Sequence, residues 1–272
     1  AAEPLFSDPN RGNFRLAMNS PCINAGSNAL AVGETDLDGN ERIIGGNVDI
    51  GAYEALPVAM VLNSSNLVWT SGGDACWYGQ PFVTADGDEA MQSGLIGDAQ
   101  SVWIQAVTEG KGTLRFAWMV SSESRDYLRF YADDQPASAI SGDSGWQTFS
   151  LAITNAGVHT FRWVYVKGKS GAAGADAGWL DQVVWTPATV TVDAVCSPGE
   201  GGTVIGGGVC VAGSAITLVA VPNRGWRFVR WENDDTHTRR VLTVPDGGAS
   251  FAAFFVEAAI PLAEALDTET LT

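Results

Sequence analysis

The chain has 272 residues, 31 acidic against 15 basic side chains and a net charge of −16, spread as −5, −6 and −5 over residues 1–56, 57–187 and 188–272. Such an even acidity would repel phosphate backbones and anionic lipid, so it excludes a nucleic-acid partner. No run of about 18 apolar residues is present, which excludes membrane insertion by a helix.

Residues 1–56 show no helical period; short apolar steps alternate with Asn, Asp, Gly and Pro turns. Asp36-Leu37-Asp38-Gly39-Asn40 begins like a calcium loop, but Glu41, Arg42 and Ile43 break the ligand spacing. A turn whose Asp side chains cap backbone N–H groups is the expected reading.

Residues 57–187 alternate apolar and polar positions in LRFAWMV (114–120), YLRFYAD (127–133), WQTFSLAI (146–153), HTFRWVYV (159–166) and WLDQVVW (179–185). Turns separate these runs at the spacing of a β-sandwich. Trp118, Trp163 and Trp185 are expected in its core. Trp77 and Tyr78, after Gly72-Gly73-Asp74, and Trp179, after Gly178, stand near loops and are the expected ligand-binding aromatics.

Residues 188–257 read as a small β module with hairpin turns at Gly201-Gly202 and Gly206-Gly207-Gly208. Cys196 and Cys210 flank that Gly-rich stretch, and antiparallel pairing is expected to bring them into disulfide range. The bridge would close a ~15-residue loop worth about 3 kcal/mol.

Catalytic groups are scarce. The two histidines, His159 and His237, have no nucleophile elbow nearby, and pairs such as Asp133-Asp134 are adjacent in sequence and read as hydrated turns. No phosphate-binding glycine loop precedes a helix. The chain is therefore read as non-enzymatic.

The end of the chain repeats its middle: PVAMVLNSSNL at 57–67 returns as PLAEALDTETL at 261–271. Residues 258–272 are thus expected to be the opening strand of a following sandwich, carried by Pro261, Leu262, Ala263, Ala265, Leu266 and Leu271. A strand without its sandwich needs a partner. Head-to-tail docking onto another copy of the chain would be heterologous and would grow a fibre.

Three resemblances refine this picture. FRLAMNSPCINAG, DLDGNER and VDIGAYE resemble the closing segment of bacterial right-handed parallel β-helix proteins with a choice-of-anchor Q domain. WTSGGDACWYGQ, SVWIQ, DYLRFYAD, HTFRWVY and DAGWLDQVVW resemble jelly-roll modules of secreted bacterial proteins, related to MAM-type and carbohydrate-binding sandwiches. GGTV, AGSAITLVAVP, GWRFVRW and SFAAFF resemble the divergent internalin-type B-repeat, a β-grasp-like spacer and adhesion module.

Together they imply an all-β chain: a β-helix end at 1–56, a jelly-roll sandwich at 57–187 and a B-repeat at 188–257. The sandwich resemblance also implies a structural Ca²⁺ near Asp176 and Asp181, with Asp88 or Glu89 as partner. The competing reading is a solvated loop and an Asp bonded to backbone. No other cofactor is implied. The expected function is a secreted or cell-surface structural and adhesive segment. The alternative is a module binding glycans or a host surface, or an accessory region of a polysaccharide-active enzyme.

Overall fold

The structure is a computed structural model and describes residues 3–258. The expected assembly strand, Pro261 to Leu271, lies outside the described residues. Nothing among the described residues supports the head-to-tail fibre.

The chain separates into two compact units, Ala1–Thr186 and Pro187–Thr272. The first unit begins with β1 (Phe6–Asp8) and β2 (Asn13–Leu16), and a single helical turn, α1 (Val58–Val61), follows. Its remaining strands are β3 (Val68–Gly73), β4 (Tyr78–Gln80), β5 (Ala90–Gln92), β6 (Ser101–Glu109), β7 (Gly112–Ser121), β8 (Tyr127–Ala132), β9 (Gln135–Ser141), β10 (Gln147–Ile153), β11 (Val158–Val166) and β12 (Ala177–Pro187).

These ten strands form two five-stranded sheets, ordered β10-β7-β12-β5-β4 and β3-β6-β11-β8-β9. Period-2 patterning explains the layers, since alternate residues of a strand face opposite sides. Leu114, Phe116, Trp118 and Val120 of β7 and Leu180, Val183 and Trp185 of β12 face Val102, Ile104 and Ala106 of β6, Leu128 and Phe130 of β8, and Phe161, Trp163 and Tyr165 of β11 in one buried core. Rings meet between the sheets: Phe116 lies 4.8 Å from Phe130 and 5.1 Å from Trp163, and Phe161 lies 5.6 Å from Trp185. The two Phe116 contacts are edge-to-face and the Phe161–Trp185 pair is tilted, and such contacts add to the burial of large rings.

Residues 3–56 depart from the expected β-helix end. Their strands β1 and β2 pair antiparallel, and no parallel rung occurs among the described residues of this segment. Buried carboxylates organise the rest instead of a ladder. Asp36 accepts from the N–H groups of Asp38, Asn40 and Glu54, all at 2.8 Å, which is the expected Asp-capped turn. Asp49 accepts from Asn24 N at 2.6 Å and Ala55 N at 2.7 Å. The segment is also no separate module. Met18 N donates to Trp77 O at 3.2 Å, and Met18 and Leu56 pack on the sandwich core.

The first copy of the duplicated sequence is not a strand. Val58, Val61 and Leu62 are buried on one side of α1, the i, i+3, i+4 spacing of a helix face. The ladder starts only at Val68.

The second unit holds β13 (Thr189–Ser197), β14 (Gly202–Ile205), β15 (Gly208–Val211), β16 (Ala215–Pro222), β17 (Trp226–Trp231), β18 (Arg239–Thr243) and β19 (Ala249–Glu257). They form a four-stranded sheet, β15-β13-β19-β17, and a three-stranded one, β14-β16-β18. β13 and β19 run parallel, as the two outer segments of a β-grasp do, but no α-helix occurs among the described residues of this unit. Its core is Leu218, Ala220, Trp231, Ala253 and Phe255.

The expected Cys196–Cys210 bridge is absent; both cysteines are free thiols. Register is the reason. Cys210 stands opposite Val190 on β13, while Cys196 lies six residues further along that strand, opposite Ala253 of β19. At about 3.3 Å per residue, that offset is far beyond disulfide reach.

Candidate functional site

The three aromatics expected to bind ligand are all buried: Trp77 is 0%, Trp179 2% and Tyr78 7% exposed. Residues 3–56 cover the β4 edge, where Tyr78 sits, while Trp77 belongs to the sandwich core. Tyr78 lies against Asn13 and Arg15, and burial pushes its hydroxyl up to about 12. Trp179 faces away from the core, yet it is enclosed and donates through Nε1 to Gln92 Oε1 at 3.1 Å. None of the three can present a ring to a ligand.

Asp176 and Asp181 are engaged separately. Asp176 pairs with the buried Lys167 ammonium and accepts from the Tyr165 hydroxyl at 3.3 Å. Asp181 accepts from Ala85 N and Gln182 N, both at 2.7 Å, and burial raises its pKa. No group of three His, Cys, Asp or Glu side chains with metal-binding geometry occurs among the described residues.

A cleft of about 240 Å³ lies between residues 3–56 and the β4–β5 edge. Its charges satisfy one another. The Arg15 guanidinium forks onto both oxygens of Asp38 and lies 4.4 Å from the Tyr53 ring and 4.9 Å from the Phe82 ring. Arg42 is bonded to Glu54. Glu89 remains, its pKa raised by burial and by the acidic Asp88, Asp38, Asp36 and Asp86 around it.

His159 does not form a catalytic pair with a nucleophile. Its ring nitrogens face Asp133 Oδ2 at 2.8 Å and Asn155 O at 3.1 Å, both of them oxygen acceptors.

The outer face of the sheet β3-β6-β11-β8-β9 is different. Because Val102, Ile104, Leu128, Phe130, Phe161 and Trp163 point into the core, their neighbours Trp103, Gln105, Tyr127, Arg129, Tyr131 and Arg162 point outward. Register arranges them in rows across the strands. One row runs Gly72, Trp103, Val164, Arg129, Ala139. The next runs Thr70, Gln105, Arg162, Tyr131, Pro136. The two rows lie about 7 Å apart.

Trp103, Gln105 and Arg162 hold one another on this face. Gly72 makes room for a flat indole: a Cβ there would stand 2.8 Å from Cζ2 of Trp103. The Arg162 guanidinium lies 5.5 Å from the Trp103 ring, and its Nε donates to Gln105 Oε1 at 2.7 Å. Arg129 lies 5.1 Å from the Tyr127 ring. Beside it, small side chains on β9 lower the surface, and a register shift between Phe130 and Tyr131 lets two β9 residues fill one step. The result is an open concavity of about 540 Å³, walled by Arg129 and Tyr131 and floored by Pro136, Ala137, Ser138 and Ala139.

Sequence reading passed over these residues, although strand parity carried the signal. In YLRFYAD, burying Leu128 and Phe130 obliges Tyr127, Arg129 and Tyr131 to face out.

Residues 189–259, about a quarter of the chain, match the divergent InlB B-repeat domain family. No curated protein matches the chain. Among solved structures, the secreted serine protease VesC from Vibrio cholerae is 18% identical over 48% of this chain and 27% of that chain, with a TM-score of 0.35. A CBM51 module from a Clostridium perfringens GH95 protein, solved with methyl-galactose, is 15% identical over 44% of this chain and 99% of that chain, with a TM-score of 0.28. The adhesin domain of Epf from Streptococcus pyogenes is 9% identical over 65% of this chain and 67% of that chain, with a TM-score of 0.26. Likeness this remote leaves the function of the sandwich to its own residues.

Proposed function

We propose that the first unit is a non-catalytic carbohydrate-binding and adhesion module of an extracellular or cell-surface protein, with the B-repeat as its companion. The observation that carries this reading is the outer sheet face: Trp103, Tyr127 and Tyr131 stand on it beside polar groups that are already oriented. Pyranose rings present C–H faces that aromatic rings cover and hydroxyls that guanidinium and amide groups bond, so a flat aromatic and polar surface suits them. Side chains pre-positioned on strands lose little entropy on binding. The B-repeat match supports a surface setting for the chain.

A glycan array followed by calorimetry on the full chain tests the reading. Trp103→Ala and Tyr131→Ala should each weaken the selected glycan at least tenfold, about 1.4 kcal/mol. Binding unchanged in both variants, or no glycan bound at all, would refute it.

A further inference from the structure

We propose that this face selects anionic glycans, those whose pyranose units carry a carboxylate or sulfate, through Arg129 and Arg162. The inference rests on the carbohydrate-binding reading of the same face.

The charge background makes the arginines informative. The chain carries twice as many acidic as basic side chains, and several of its arginines are matched to carboxylates: Arg15 to Asp38, Arg42 to Glu54, Arg230 to Asp234 and Arg240 to Glu232. Arg129 is not. It is exposed on β8, its guanidinium sits against the Tyr127 ring, and no carboxylate lies within ion-pair distance of it among the described residues. Arg162 has one carboxylate neighbour, Asp134, at 3.6 Å; that side chain is 78% exposed at the end of the β8–β9 hairpin. A contact of that length and exposure is weak and easily exchanged.

Position strengthens the case. Arg162 is registered with Tyr131, and Arg129 with Val164 two residues further along β11, so the two residues are diagonal neighbours on adjacent strands. Such neighbours stand about 7–8 Å apart at the backbone, with the Tyr131 ring in the row of one and beside the other. A sugar lying over Tyr131 would bring an equatorial acidic group to either guanidinium. Arginine presents a planar fork that matches a carboxylate or sulfate through two parallel N–H···O bonds. A neutral sugar leaves that fork partly unused. The net charge of −16 does not overrule this, because charges beyond a Debye length of about 8–10 Å are screened at physiological salt.

The test is an array holding neutral, uronate-bearing and sulfated glycans, probed with the full chain, then calorimetry on the best oligosaccharide at low and high NaCl. Arg129→Gln, Arg162→Gln and Tyr131→Ala are compared, with near-ultraviolet circular dichroism confirming the fold of each. The inference expects anionic glycans to dominate the array. It expects Arg129→Gln to weaken them at least tenfold and affinity to fall as salt rises. Preference for uronates or for sulfated sugars identifies which anion is read. Preference for neutral glycans, unmoved by salt and by Arg129→Gln but lost in Tyr131→Ala, overturns anion selection and leaves the carbohydrate reading standing. An empty array overturns both.

Discussion

The docking of residues 3–56 onto the sandwich has a measurable energetic consequence. Met18 and Leu56 insert side chains against the core of the ten-stranded sandwich. Truncating a buried Met or Leu to Ala costs about 2–5 kcal/mol. Both residues are only partly buried, so about 2 kcal/mol each is the appropriate figure, and Met18→Ala with Leu56→Ala should cost about 4 kcal/mol together. With a urea dependence of about 2–3 kcal/mol per molar for a unit of this size, the midpoint should fall by about 1.5 M. Urea titration followed by tryptophan fluorescence reads this directly, since eight of the ten tryptophans lie between residues 57 and 187. The double variant should also gain acrylamide quenching, because Met18 and Leu56 pack on the core cluster that contains Trp77, whose carbonyl is bonded to Met18. If instead residues 1–56 were an independent module, the double variant would unfold within about 0.3 M of the parent, and a 57–187 fragment would fold with an unchanged midpoint. Either result would refute the reasoning.

Other consequences follow from individual contacts. Trp231→Ala removes the largest buried ring of the second unit and its Nε1 bond to His237 O at 2.8 Å; a loss of about 3–5 kcal/mol is expected, seen as selective early melting of that unit in calorimetry. Asp133 is held below the ordinary carboxylate value despite its desolvation, by His159 and the Thr160 N–H. Its contribution to stability is therefore present above about pH 4 and is lost as pH falls through the lower folded value, so the stability gap between the parent and Asp133→Asn should close under acid in urea titrations. All four cysteines should react with a thiol reagent in denaturant without prior reduction, and dithiothreitol should leave the melting temperature unchanged; a Cys196–Cys210 bridge found by peptide mapping would contradict the register of β13. Gly72→Ala should displace the Trp103 ring and reduce glycan affinity as much as Trp103→Ala does, while costing only about 1 kcal/mol of stability; calorimetric binding equal to the parent would show that the indole is not part of the site.

The long strands were legible because their pattern is dictated by burial. β8 and β11 alternate buried and outward positions along almost their whole length, as a sandwich strand requires. The second sheet's edge strand β9 was not legible: QPASAIS has small side chains, a proline and little apolar signal. PVAMVL was misread because an apolar run of that length fits a strand or a helical turn equally well. Tertiary packing of Val58, Val61 and Leu62 decided it. Residues 3–56 have no periodicity to read at all. Their order comes from carboxylates that accept backbone N–H bonds, Asp36 from Glu54 and Asp49 from Asn24 across long sequence separations and Glu54 from Asp49 locally.

The three expected binding aromatics are buried for different reasons. Trp77 belongs to the sandwich core itself, Trp179 stands on the central strand β12, and only Tyr78 sits on the edge strand β4, against Asn13 and Arg15. Covering that edge buries Tyr78, while Trp179 donates to Gln92 and the Trp77 carbonyl accepts from Met18 N. The opposite sheet has no such cover among the described residues of the unit, so its outward parity positions stay open to solvent. A β-sandwich must hide one face of each sheet and has no need to hide the other. On β6, β8 and β11 that free face carries Trp103, Tyr127, Tyr131 and two arginines where short polar residues would have sufficed for solubility, and it is this surplus of large, oriented side chains that points to a ligand.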